Sequence, residues 1–187
     1  MEERKKDLFM IACRAVKDAV NNRYDPPKIV NKFKEKKGVF VTLTKNKELR
    51  GCIGTILPIK ELGIATYENA IHAAIHDPRF PPLTREELRE IEIEISILSN
   101  PRRVEYKNVD ELLKKIEPHR HGIIISYNGY SATFLPQVWE QLNTKEKFLS
   151  HLCLKAGLPM DFWKTGKLIV EVYENEEVIG PWKIERK

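Results

Sequence analysis

The sequence predicts an α+β protein in which helices pack against a largely antiparallel sheet. Three observations carry that prediction. Ile91, Ile93, Ile95 and Ile97 alternate with Glu92, Glu94 and Ser96, the period of a strand with one face in a core and one in water. Asn128-Gly129 separates two β-rich runs, 122–127 and 130–134, and supplies the positive φ angles of a tight hairpin turn. Helix-spaced apolar stretches fall among the strands in mixed order, not in the regular alternation that builds a parallel sheet.

Taken in order, the first helix is predicted over about 3–20, where Leu8, Ile11, Ala12, Ala15 and Ala19 repeat at helical spacing. Phe9, Cys13, Val16 and Val20 widen its apolar face, and Cys13 reads as a small core residue of that face. Asn21-Asn22 ends the helix, and a lysine-rich approach follows Asp25-Pro26-Pro27. The run 38–44 is β-rich and alternating; the polar Lys45-Asn46-Lys47-Glu48 turns it back into a second strand ended by Pro58. A helix over about 59–76 must stop at or before Asp77, because Pro78 disfavours helical geometry in the residue before it.

Thr84-Arg85-Glu86-Glu87 fits a capping box that opens a short helix before the isoleucine strand. Another helix is expected from Asn108 to about Ile116. The 122–134 hairpin comes next, with a corner at 134–139 that places Pro136 at a first helical position. Thr144 starts a helix over about 145–156 that Gly157 stops, and 167–174 is the last predicted strand. No repeat or low-complexity linker divides residues 1–187, so one domain is expected.

With 42% hydrophobic and 32% charged residues, signs interspersed, the composition is that of a globular protein. No apolar run reaches the ~18 residues of a membrane helix, and the first residues lack the apolar core of a signal peptide. A cytoplasmic protein with no membrane segment and no membrane partner is the expectation. Cys13, Cys52 and Cys153 form neither a disulfide framework nor a metal knuckle. The net charge of +5 leaves nucleic-acid binding open, but the basic clusters are mixed with acids and read as solvated faces.

The stretch Leu49-Arg50-Gly51-Cys52-Ile53-Gly54-Thr55 is the point of chemical interest. In an extended strand Arg50 and Cys52 share one face about 7 Å apart, and a guanidinium near a thiol favours the nucleophilic thiolate. Gly51 and Gly54 imply that another backbone or a ligand lies close against this strand. These seven residues resemble the signature heptapeptide of the AMMECR-one domain family, named for a gene in a chromosomal region linked to Alport syndrome. Further matches are Asp77-Pro78-Arg79-Phe80-Pro81-Pro82-Leu83, Ser96-Ile97-Leu98, His121-Gly122-Ile123, Phe134-Leu135-Pro136-Gln137-Val138 and Leu154-Lys155-Ala156-Gly157. The resemblance implies an α+β fold with a larger and a smaller lobe and a groove between them. It also implies microbial gene neighbourhoods shared with Memo-type and radical-SAM proteins, and so possible partners among them.

Each candidate residue has a bland reading beside the chemical one. Cys52 is either a reactive thiol or a small inert core residue. His121, at the start of a strand, is the candidate acid/base for it, or a histidine at a loop end. Asp77 and Arg79 form a proline-locked charged turn that either fastens the chain or binds a substrate anion through Arg79. Arg50, Gly51, Gly54 and Thr55 complete the expected binding set. His72 and His76 stand at i and i+4 but lack the glutamate of the zinc-protease helix, so no metal is expected. No glycine loop cradles a phosphate, and the residues name no cofactor. The leading expectation is an enzyme, or an enzyme-partner subunit, using Cys52 on a small molecule. The alternative is a non-catalytic regulatory or RNA-binding module.

Overall fold

The hairpin that carries the heptapeptide forms around Asn46 and Lys47, both at positive φ (52° and 66°), the pair of angles a two-residue hairpin turn needs. It joins β1 (Val39–Lys45) to β2 (Glu48–Thr55). The computed structural model describes Glu2–Trp182. Its other elements are α1 (Glu3–Ala19), α2 (Leu62–Ile75), β3 (Ile91–Leu98), β4 (Arg102–Arg103), α3 (Val109–Lys115), β5 (Gly122–Tyr127), β6 (Tyr130–Phe134), α4 (Lys145–Lys155), β7 (Ile169–Tyr173) and β8 (Asn175–Pro181). The fold is α+β and its sheets are antiparallel, as the patterns imply. The strands divide into two sheets of four, where the sequence reading had one.

The chain separates into two compact units: one made of residues up to Leu98 and from Glu176 onward, the other of Ser99–Asn175. The first unit holds the sheet ordered β2-β1-β3-β8. Val39, Val41 and Leu43 of β1 and Ile91, Ile93, Ile95 and Ile97 of β3 are buried in one core with α1 and α2, so the isoleucine period does what it predicts. A buried polar knot fastens the helices to each other. The Tyr67 hydroxyl donates to Asp18 Oδ2 at 2.7 Å, and Arg14 Nε donates to both Asp18 oxygens. Burial and the Asp18 carboxylate hold the Tyr67 phenol far above its usual range.

In the second unit the order is β4-β7-β5-β6. Asn128 and Gly129 take φ of 44° and 88° and set the register Ile123↔Phe134 through Tyr127↔Tyr130. Trp139 stacks on Phe148 at 3.8 Å in its core. Asn108 and Thr144 accept the N–H groups of Glu111 and Lys147, capping α3 and α4 as expected.

The elements differ from the sequence reading at several places. Helix α2 starts at Leu62, because Ile59 N–H turns back to Leu57 O (2.9 Å) and Leu62 N–H goes to Glu35 O (2.8 Å). The capping box opens only a 3₁₀ turn, Glu86–Glu90, although Thr84 N–H does donate to Glu87 Oε2. Strand β8 was not anticipated: of its residues only Val178 is buried, and it forms by pairing with the distant β3.

Candidate functional site

Strand β2 is an edge strand, so one side of its backbone lacks a strand partner. Leu43 faces Gly51 and Thr44 faces Leu49, which leaves Arg50 as the extra residue of a bulge. The bulge breaks the alternation assumed from sequence, and the expected pairing of Arg50 with the Cys52 thiol is not made. The Arg50 guanidinium grips Glu87 through Nε and Nη2, each at 3.0 Å, and the Pro81 carbonyl through Nη1 at 2.9 Å. Arg50 first, with Thr84 N–H and Lys45 helping, brings the Glu87 carboxyl down to about 2. Arg50 thus fastens the proline-rich loop to the sheet.

The guanidinium that touches Cys52 is that of Arg79. Cys52 N–H donates to Asp77 Oδ2 at 2.9 Å, and Arg79 Nη2 donates to Cys52 O at 3.3 Å. Asp77 and Arg79 also bind one another, Nε to Oδ1 at 2.9 Å and Nη2 to Oδ2 at 2.6 Å. Two side chains on the turn after α2 therefore satisfy the edge groups that a neighbouring strand would take. Asp77 is 4% exposed. The Arg79 bonds, with the N–H groups of Cys52 and Arg79, hold its carboxyl far below the usual range despite burial.

Cys52 Sγ accepts the Thr42 hydroxyl at 3.3 Å, across the β1–β2 register that pairs the two residues. Sequence reasoning missed Thr42 and Glu87. The first was open to discovery by counting back from the Asn46-Lys47 turn; the second depends on a loop crossing that no local pattern encodes. The close approaches at the glycines are supplied by the protein itself. A Cβ on Gly51 would lie 2.1 Å from Ala73 O of α2, and one on Gly54 would meet the Phe40 ring at 2.4 Å. Thr55 is exposed at the strand's end, paired with Val39.

His121 lies in the second unit and Cys52 in the first, so neither unit by itself brings them together. His121 is 1% exposed. Its Nδ1 accepts Glu117 N–H at 3.1 Å, which puts the proton of the neutral ring on Nε2, and Nε2 has no partner among the described residues. Burial pushes the His121 imidazole below its ordinary value. The unfolded ring binds a proton near pH 6.5 and the folded ring binds it only at lower pH, so acid favours unfolding. The urea midpoint is expected to drop between about pH 7 and about pH 5, and the drop to shrink in His121→Asn. An unchanged pH dependence in the variant would contradict this.

His72 and His76 sit ring to ring at 5.5 Å on α2. No group of three or more metal-ligating side chains occurs among the described residues. Within those residues, no helix is long and apolar enough to cross a membrane.

These features define a class: an α+β protein whose edge-strand cysteine is pinned through its backbone by an aspartate–arginine turn. The chain belongs to the AMMECR1 family, whose sequence model matches residues 9–178. It is similar to a protein of Methanopyrus kandleri, 47% identical over 83% of this chain and 79% of that one. A Nanoarchaeum equitans protein is 43% identical over 91% of this chain and 97% of its own length. Among solved structures, an uncharacterised protein from Pyrococcus horikoshii superposes with a TM-score of 0.82 at 37% identity, covering 91% of this chain and 88% of that one.

Proposed function

We propose that Cys52 is the working thiol of this protein, and that the protein is an enzyme, or the partner subunit of one, acting on a small molecule. The observation that carries this reading is a contrast among the three cysteines. Cys13 and Cys153 are buried at 6% and 0% exposure, whereas Cys52 is only partly covered. Burial also pushes the Cys153 thiol up, away from the nucleophilic form. Cys52 differs in its setting too: its peptide is fixed from both ends by Asp77 and Arg79, and a hydroxyl points at its sulfur. A nucleophile whose peptide is held in one geometry suits attack on an electrophilic carbon or acceptance of an acyl group.

His121 enters this reading as acid/base on the family resemblance at His121-Gly122-Ile123 alone. Arg50 enters as support for the loop, and Gly51, Gly54 and Thr55 as the strand that carries the thiol. Memo-type and radical-SAM proteins are the partners proposed, on family resemblance alone.

Alkylation of the native protein is expected to give a single adduct, at Cys52, with Cys13 and Cys153 reacting only in denaturant. Peptide mass mapping reads the result, and Cys52→Ser should leave the native protein unlabelled. A Cys52 protected until unfolding would remove the thiol from any chemistry.

A further inference from the structure

The lysine-rich approach to β1 looks charge-balanced in sequence but not in space. Its acids are taken by cations from outside the segment: Arg14 bonds Asp25 at 2.7 Å and Arg4 bonds Glu35. Asp7 in turn takes Lys32 at 3.0 Å. Lys34, Lys36 and Lys37 have no ion-pair partner among the described residues, and Lys34 and Lys36 are exposed. They run beside the loop that follows β2. The backbones of Lys36 and Glu61 pair in an isolated antiparallel β-bridge, Glu35 O accepts Leu62 N–H, and Gly38 lies against the Ile56 carbonyl.

That loop projects two aliphatic side chains. Ile59 N–H closes onto Leu57 O around Pro58, a three-residue turn stiffened by the fixed proline φ. Leu57 is 59% exposed and Ile59 65%. Nearby in the chain Lys60 binds Glu68 and Glu61 is half-buried, so Lys34, Lys36 and Lys37, the last of which also acts on Glu35, leave the turn in a positive surround.

We propose that this turn docks on an anionic lipid surface, with Leu57 and Ile59 entering the headgroup layer and Lys34, Lys36 and Lys37 meeting lipid phosphates. Two aliphatic side chains on a stiff turn, ringed by flexible point charges, match what an interfacial anchor needs. The composition speaks against the other polyanionic partners. Protein interfaces are rich in aromatic residues and arginine and poor in lysine, and these five residues invert that preference. Nucleic-acid bases stack on aromatic rings, for which leucine and isoleucine offer no counterpart. The absence of a spanning helix among the described residues is no objection, since the protein would lie on the bilayer without crossing it.

Co-sedimentation of the full chain with vesicles of phosphatidylglycerol mixed into phosphatidylcholine tests this. Binding is expected to the mixed vesicles and not to pure phosphatidylcholine. It should fade as ionic strength rises from about 0.01 M to about 1 M, which shortens the screening length from about 30 Å to about 3 Å. Replacing Lys34, Lys36 and Lys37 with glutamine should weaken binding about a hundredfold, roughly fivefold per charge. Leu57→Ser with Ile59→Ser should weaken it about tenfold, without altering the melting temperature. No binding to anionic vesicles, or binding indifferent to Leu57 and Ile59, overturns the proposal. So does binding to single-stranded RNA or polyglutamate in preference to the vesicles. Cys52 lies outside this surface, so Cys52→Ser should bind vesicles as the parent does.

Discussion

Gly51→Ala is expected to destabilise the protein by about 3 kcal/mol, seen as a melting temperature lower by roughly 6–12 °C. The added Cβ would stand 2.1 Å from Ala73 O, where ordinary contact begins at 3.4 Å. Ala73 O is a backbone atom and a Cβ is fixed by its own backbone, so no side-chain rotation can relieve the clash; β2 must bow outward or α2 must lift. Lifting α2 also carries away Asp77, two residues past the helix, and with it the acceptor for Cys52 N–H. The variant should therefore lose amide protection at Cys52 along with stability. Gly129→Ala is the informative comparison. Nothing lies within 4 Å of its added Cβ, and only its φ of 88° opposes a side chain. About 1 kcal/mol is expected there, from backbone strain alone. Equal effects at the two positions would show that packing of α2 on β2 is not what Gly51 serves.

The parts of this fold that could be read from sequence are those fixed by local chemistry. The Asn128-Gly129 turn, the isoleucine alternation of β3 and the Thr144 and Asn108 caps each act within a few residues, and each forms where expected. What escaped depends on pairing across long separations. Strand β8 exists because β3 offers it an edge, not because 175–181 alternates. The place where the chain divides into two units is equally silent. The chain leaves the first unit after Leu98 and returns at Glu176, and no proline- or glycine-rich linker marks either place. Ser99 and Glu174 instead join the two crossings by hydrogen bonds of 2.8 and 2.9 Å.

At the site, Cys52, Asp77 and Arg79 could each be picked out singly. Their joining could not, since one bulge at Arg50 decides which guanidinium reaches the cysteine.

Asp77→Ala is expected to cost about 2–3 kcal/mol at neutral pH. The usual loss on breaking a buried ion pair is larger, but the Arg79 side chain is 53% exposed and water can take up part of its charge. The substitution removes the acceptor of Cys52 N–H and of three Arg79 donors, so the edge of β2 loses the partner of its Cys52 amide, and Arg79, which donates to Cys52 O, loses its anchor. Because the folded carboxyl sits far below its unfolded value near 3.9, the contribution is complete above about pH 5 and decays as acid protonates Asp77.

The stability gap between parent and Asp77→Asn should accordingly be largest at neutral pH and narrow as the pH falls toward 2. Urea denaturation at several pH values measures it, and a gap independent of pH would mean the carboxylate's charge plays no part. Arg79→Lys separates geometry from charge: the ammonium keeps the sign but loses the fork that spans Asp77 and the Cys52 carbonyl. If that variant alkylates at Cys52 as the parent does, the fork plays no part in presenting the sulfur. If its alkylation rate changes while the fold stays intact, the fork's hold on the Cys52 peptide sets how the sulfur is presented.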